Sequence, residues 1–296
     1  MAQLSSLPIL VTGFNRPALL HDTLSRLRDF GQKNVWISID GPRLIDVRQD
    51  QFTYQCREVA KQFRDISNGR VLIRENNLGC KYGMSDAISW FFANNSMGLV
   101  IEDDIVFQSD FLRFSHDSLT FFEDDMAIGS ITGFMPIEIQ LNPKYMHSKY
   151  VTHPFFSAWG WGSWSNRWAK YDLEMQSWRR ELSFSKLVTK VKWKFPRYWS
   201  RRFDEISSGQ IDTWDFQFLF AHLKYDWHVI APSRNLIQNV GFGQSATHTK
   251  KFREIPDLCS FEDGVCENSN PVELSKIDLT RYLRKQFGLS RWYSPV

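Results

Sequence analysis

The sequence predicts an α/β protein built on a doubly wound, mostly parallel sheet, with an elaborated C-terminal half. Three observations carry that prediction. The 296 residues, 43% hydrophobic and 23% charged, have the size and composition of one large globular domain or two small ones, and not of a disordered chain. Over the first 135 residues short apolar runs alternate with helical periodicity, as βαβ units require. Beyond residue 135 that alternation fails without any repeat or low-complexity linker, so 1–296 reads as one continuous domain: a half over 1–135, a second half over 136–250 and an extension over 251–296.

Pro8 to Thr12 reads as a buried strand, and Pro17 opens a helix with Leu20, Leu24 and Leu27 on one face, ended by Gly31. Val35 to Ile39 is a second strand, stopped by Asp40, Gly41 and Pro42. A polar helix over about 50–65 leads to a third strand, Arg70 to Arg74. Met84, Ala87, Ile88 and Phe91 stand at helical spacing within 81–93; Gly98 to Ile101 and Ala127 to Ile131 give two further strands. In the second half the pattern predicts a helix over about 213–224, a strand from Trp227 to Ala231 and a loop to about 250.

Ligands of such a sheet bind beyond the carboxyl ends of its strands. Three ends carry suggestive residues: Thr12 to Arg16, Asp40 to Pro42, and Glu102, Asp103, Asp104. The GxGxxG and GxxxxGK[ST] signatures are absent, so a nucleotide would be held by side chains and a metal. Three adjacent carboxylates after an apolar strand repel one another unless a cation joins them. Strand alternation would put Glu102 and Asp104 on one face and Asp103 on the other. The plain alternative is an acidic cap for a helix starting near Ser109. Asp212 reads as an N-cap, and Asp215 either as a first-turn acid favoured by the helix dipole or as a general base walled by Trp214 and Phe216. His248, in a glycine-bearing loop, reads as an idle surface histidine or as a metal ligand completing the acidic site.

Twelve Trp and 24 Phe are many for this length. Four Trp fall in residues 157–168, where Gly-Trp-Gly suggests a loop presenting Trp159 and Trp161 to a sugar face, with Trp164 and Trp168 packed in the core. The four cysteines form no CxxC pair, which argues against structural zinc; Cys259 and Cys266 could bridge a short loop. No apolar run spans a bilayer and no secretory leader is visible, so a cytoplasmic protein is expected, with peripheral contact to the inner face of a membrane as a variant. The net charge of +3 is uneven. Residues 178–203 hold nine Lys/Arg against Glu181, leaving 27 basic and 32 acidic residues elsewhere. Lys186, Lys190 and Lys194 interleave there with Trp193, Tyr198 and Trp199, which suits an anionic membrane surface, a lipid-diphosphate-linked glycan or simple solvation, and not a nucleic-acid binder.

Taken in order, PILVTGFNRP, ENNLGCKYGMSDAI, the EDD triplet after LVI, WGWGSW, TWDFQF and GFGQSATHT resemble glycosyltransferases of the GT-A fold, of the family 2-like bacterial and N-acetylglucosaminyltransferase I-like kind, over about residues 7–250. The resemblance implies a metal-dependent, inverting transfer of a sugar from a nucleotide-diphosphate donor, a UDP-sugar in the first instance. The acceptor would be a hydroxyl of a glycan or lipid-linked glycan, in surface polysaccharide synthesis. It implies that Asp104 and His248 ligate Mn²⁺ or Mg²⁺ and that Asp103 lies near the donor ribose or sugar. Thr12, Asn15, Arg16 and Asp40 would contact the nucleotide, with Asn77, Gly79 and Lys81 beside the donor. Asp215 would be the base, and Trp159, Trp161 and Trp214 would line the acceptor side. A sugar-phosphate nucleotidyltransferase and a non-catalytic glycan-binding module are the rival expectations. The first lacks its glycine-rich basic loop here, and the second has no need of Asp104, Asp215 and His248.

Overall fold

The computed structural model describes residues 4–43, 47–68, 70–136, 142–146, 148–183, 187, 196–241, 270–275 and 278–279. It is an α/β structure with a large, mostly parallel central sheet, and the N-terminal elements follow the predicted alternation. Strand β1 (Ile9–Gly13) is followed by α1 (Pro17–Asp29), which has Pro17 in its first turn and buries Leu20, Thr23, Leu24 and Leu27. That 3–4 spacing is what a helix needs to lay one apolar face on a sheet. Strand β2 (Val35–Ile39) is buried throughout; α2 (Val47–Gln62), α3 (Arg64–Ser67) and β3 (Val71–Ile73) follow. Then come α4 (Gly79–Phe92), β4 (Met97–Glu102), β5 (Ile105–Phe107), α5 (Ser109–Phe121) and β6 (Ile128–Thr132).

The second half contributes α6 (Pro143–Met146), β7 (Tyr150–His153), β8 (Trp161–Trp164), α7 (Ser165–Trp168) and α8 (Trp178–Glu181). After these come α9 (Pro196–Ser207), α10 (Asp215–Tyr225), β9 (His228–Pro232), β10 (Ile237–Asn239) and β11 (Val272–Glu273). Nine strands form one sheet in the order β11-β7-β9-β6-β8-β4-β1-β2-β3, and β10 pairs with β5 in a separate two-stranded ribbon. The block β3-β2-β1-β4 is parallel throughout. Sequence order reverses at β1, with β2 on one side and β4 on the other, so the topological switch point lies between β1 and β4. The sheet draws strands from before and after residue 135.

Strand β8 overturns one expectation. The Trp-Gly stretch is not a loop offering indoles to a ligand: Trp161 to Trp164 form a fully buried strand, antiparallel to both β4 and β6. Its glycines answer packing. A Cβ on Gly162 would lie 2.9 Å from the Gly98 carbonyl oxygen and from a Leu99 methyl, and Gly160 sits at φ +51. Trp161 is 0% exposed and stacks on Trp214, which is 3% exposed, at 5.6 Å between ring centroids. Trp168, Phe156 and Phe218 pack around the same pair. Much of the tryptophan excess is therefore core. Of the three acceptor-side tryptophans expected, Trp161 and Trp214 are corrected to core residues, and Trp159 alone remains half-buried.

The basic segment also reads differently. Tyr198 and Trp199 belong to α9, a helix that starts at Pro196; Trp199 is fully buried and stacks on Phe155. Arg179 pairs with Asp204, while Arg201 and Arg202 both pair with Glu205. Asp204 and Glu205 lie just past the segment's end, so part of its +8 is neutralised by the next two acids. Lys186, Lys190, Trp193 and Lys194 lie outside the described residues, as do Cys259 and Cys266. No helix among the described residues is long and apolar enough to cross a membrane.

Candidate functional site

The carboxyl ends of β1, β2 and β4 point the same way because their pairing is parallel and in step: Thr12 stands beside Glu102, and Gly13 beside Ile39. This brings Asn15 and Arg16, Asp40, and the triplet Glu102, Asp103, Asp104 to the same end of the sheet, around the switch point, where open α/β sheets bind their ligands. Strand β4 ends at Glu102, and Asp103 and Asp104 form a turn. The turn breaks the expected alternation, so both aspartates meet Arg16. Nor is the triplet a helix cap: α5 follows Gln108 and has no side-chain cap.

The turn is held from three sides. The Asp103 amide donates to the Thr12 carbonyl at 3.1 Å, and the Thr23 hydroxyl donates to the Asp103 carbonyl at 3.1 Å. The Val240 amide donates to the Asp104 carbonyl at 2.9 Å. Arg16 pairs through Nη2 with Asp103, donates from Nε to Asp103 Oδ2 at 3.3 Å, and from Nη1 to Asp104 Oδ2 at 2.7 Å. Burial opposes the Arg16 charge, but Asp103 and then Asp104 outweigh it and hold the guanidinium firmly protonated. Burial, reinforced by Asp104, pushes the Glu102 carboxyl well above the usual range; burial also raises Asp103, against the pull of Arg16. Asp104 is 6% exposed, and its Oδ1 is buried with no hydrogen-bond partner among the described residues.

The other predicted donor-side residues form a second wall. Asp40 Oδ1 accepts from the amides of Gly41 at 2.8 Å and Leu78 at 3.0 Å, and Oδ2 from the Asn77 side chain at 2.9 Å. Asp40 and Asn77 thus tie the end of β2 to the approach of α4. Gly79 opens that helix at φ +77, and Lys81, nearly buried, pairs with Glu174 at 2.7 Å. Asp212 is corrected. It does not cap its own helix, because α10 begins at Asp215 after Trp214. Its carboxylate instead accepts from the amides of Cys80 at 3.1 Å and Lys81 at 2.7 Å, capping α4 from 131 residues away.

Asp215 stands at the first turn of α10, half-buried, and accepts from the Thr213 hydroxyl. Tyr171 donates to the Trp214 carbonyl at 3.1 Å, and Gln217 donates to the Thr213 carbonyl at 2.6 Å, which fixes this helix start. Asp215 is near enough to Glu102 to help raise it. Burial first, and then the carboxylates of Glu102, Asp215, Asp212 and Asp40, push the Cys80 thiol up. Sequence reasoning missed Cys80, Tyr171, Glu174 and the role of Asp212. The first three carried no pattern, and the cap joins segments that nothing local connects.

His248 lies outside the described residues. The chain leading to it does reach the triplet: β10 pairs antiparallel with β5, Asn239 opposite Ile105, and a Cβ on Gly241 would fall 1.8 Å from Asp104 Oδ2. Among the described residues no three His, Cys, Asp or Glu side chains stand together as a metal shell. No protein-family model matches the chain, and no curated protein matches it.

Proposed function

We propose that the chain is a metal-dependent, inverting glycosyltransferase of the GT-A type. It would move a sugar from a nucleotide-diphosphate donor, a UDP-sugar in the first instance, to a hydroxyl of a glycan or lipid-linked glycan in surface polysaccharide synthesis. One observation carries the reading. The turn that follows β4 at the switch point carries Asp103 and Asp104 on a common arginine, and Asp104 and, more weakly, Asp215 at the start of α10 are among the charges that act on the neighbouring buried Glu102. A binding module has no use for that many partly desolvated carboxylates, and the order of motifs along the chain agrees with the resemblance.

The residues present fit a Mn²⁺ or Mg²⁺ ion. Such hard cations are held by one or two carboxylates completed by substrate phosphate oxygens and water, and Asp104 offers a buried oxygen without a partner among the described residues. Asp104 would hold the ion, with His248 as the second ligand the resemblance suggests. When bound, the ion would offset negative charge developing on the leaving diphosphate. Asp215 takes the proton from the acceptor hydroxyl, whose oxygen attacks the anomeric carbon opposite the diphosphate, and configuration inverts. Thr213 holds the Asp215 carboxylate in place. Asp40, Asn77 and Gly79 shape the donor wall, and Trp159 borders the acceptor side.

Incubation with a panel of nucleotide sugars tests this. The expected outcome is hydrolysis of one donor with Mn²⁺ and none with EDTA. No Mn²⁺-dependent hydrolysis and no Mn²⁺-dependent nucleotide binding across the panel would overturn the assignment.

A further inference from the structure

We propose that Arg16 is a positioning residue for the acidic turn: it clamps Asp103 and one oxygen of Asp104 so that the other oxygen of Asp104 stays presented to a divalent cation. It therefore acts through the carboxylates and not by contacting donor phosphates. The inference rests on the function proposed above and changes the role that the resemblance gives this residue.

Three features of the geometry point to it. First, the guanidinium is already committed. Nε and Nη2 engage Asp103 and Nη1 engages Asp104, a fork across two neighbouring carboxylates that a single ammonium cannot reproduce. Second, the arginine is anchored where it stands. It precedes Pro17 at the head of α1, and its carbonyl accepts from the Leu20 amide at 3.0 Å. Third, the carbonyl and Oδ2 of Asp104 are both engaged. Its carbonyl is bonded to Val240, and Gly241 is packed on Oδ2, with room for no side chain. What remains is Oδ1, buried and without a hydrogen-bond partner among the described residues.

Without the fork, two adjacent aspartates would repel and turn apart, and the oxygen would lose its aim. Hydrogen bonding of a ligating carboxylate by a neighbour is a general requirement of metal sites, and losing such a neighbour typically costs about 10- to 100-fold in metal affinity.

Two other roles for Arg16 predict different signs. A mere counter-ion competes with the metal, so removing it would tighten Mn²⁺ binding. A phosphate contact leaves Mn²⁺ binding alone and weakens only the nucleotide. The experiment is titration of the full chain with MnCl₂ without nucleotide, read by the electron paramagnetic resonance of free Mn²⁺. The variants are Arg16→Lys, Arg16→Gln and Asp104→Asn, each checked by thermal melting. We expect both Arg16 variants to bind Mn²⁺ about 10- to 100-fold more weakly than wild type. For Arg16→Lys this loss comes with no change of charge, and that variant carries the comparison where Arg16→Gln does not fold. Unchanged or tighter Mn²⁺ binding in Arg16→Lys, with Asp104→Asn abolishing it, overturns the positioning role and leaves the glycosyltransferase reading intact. Wild-type protein that takes up no Mn²⁺, alone or with any nucleotide, overturns both.

Discussion

Asp215 is held by a hydroxyl two residues earlier, on a helix start fixed by Tyr171 and Gln217. An amide at this position keeps the acceptor for Thr213 and loses only the basicity. Asp215→Asn is therefore expected to lower kcat by about 10²- to 10⁴-fold, the usual worth of a general base, with KM for the donor little changed. Steady-state transfer assays check this, with far-UV circular dichroism confirming the fold. At this scale the sequence was readable where a charge pattern has no apolar explanation. The acidic triplet and Asp215 stand out because carboxylates beside a buried strand or at a helix start need a partner. Trp161 and Trp214 misled for the opposite reason. An indole is suited both to stacking on a sugar and to filling a core, and only its neighbours in space decide between them. Arg16 shows no such pattern of its own, because its partners stand 87 and 88 residues away.

Among the elements, α4 depends on a distant segment. Leu78 provides no side-chain cap, and Asp212 supplies the acceptors for two of its first amides. Asp212→Ala should cost about 1 kcal/mol of stability, read as a lower urea midpoint with an unchanged m-value. Asp212→Asn, which keeps an acceptor, should recover part of it. The strands of the parallel block and helices α1, α4 and α10 are legible, since each carries an apolar run or a 3–4 periodicity of its own. Strand β8 was not, because its glycines serve close packing yet carry the ordinary signature of a turn. Strand β10 was not either: it is three residues long and exists through its pairing with β5.

At the scale of the whole molecule, buried titrating groups of both kinds shape stability against pH. Burial lowers His153 to about 3 and His222 to about 4. His222 is neutral, donating from Nδ1 to the Phe218 carbonyl and accepting at Nε2 from Ser130. A depressed histidine pKa contributes stability that is complete above the unfolded value near 6.5 and is lost as pH falls toward the folded one. Glu102 and Asp103 act in the other direction. Their raised folded pKa values make stability fall as pH rises through them. Across roughly pH 4.5 to 6.5 the two pairs offset each other, so urea unfolding is expected to show a near-level stretch there and a fall above about pH 6.5, approaching ~1.4 kcal/mol per pH unit for each carboxyl still titrating. His222→Gln should tilt the level stretch so that stability falls with rising pH there, and saturating Mn²⁺ should flatten the fall above it. The insertion of β8 between β4 and β6 has a last consequence, for synthesis. As the chain leaves the ribosome, β1 to β4 can assemble, but β4 keeps a bare edge of unpaired amides and carbonyls until Trp164 has been made. Such an edge invites pairing with other chains, so the hazard of misassembly is greatest before the tryptophan-rich strand slots in and seals it.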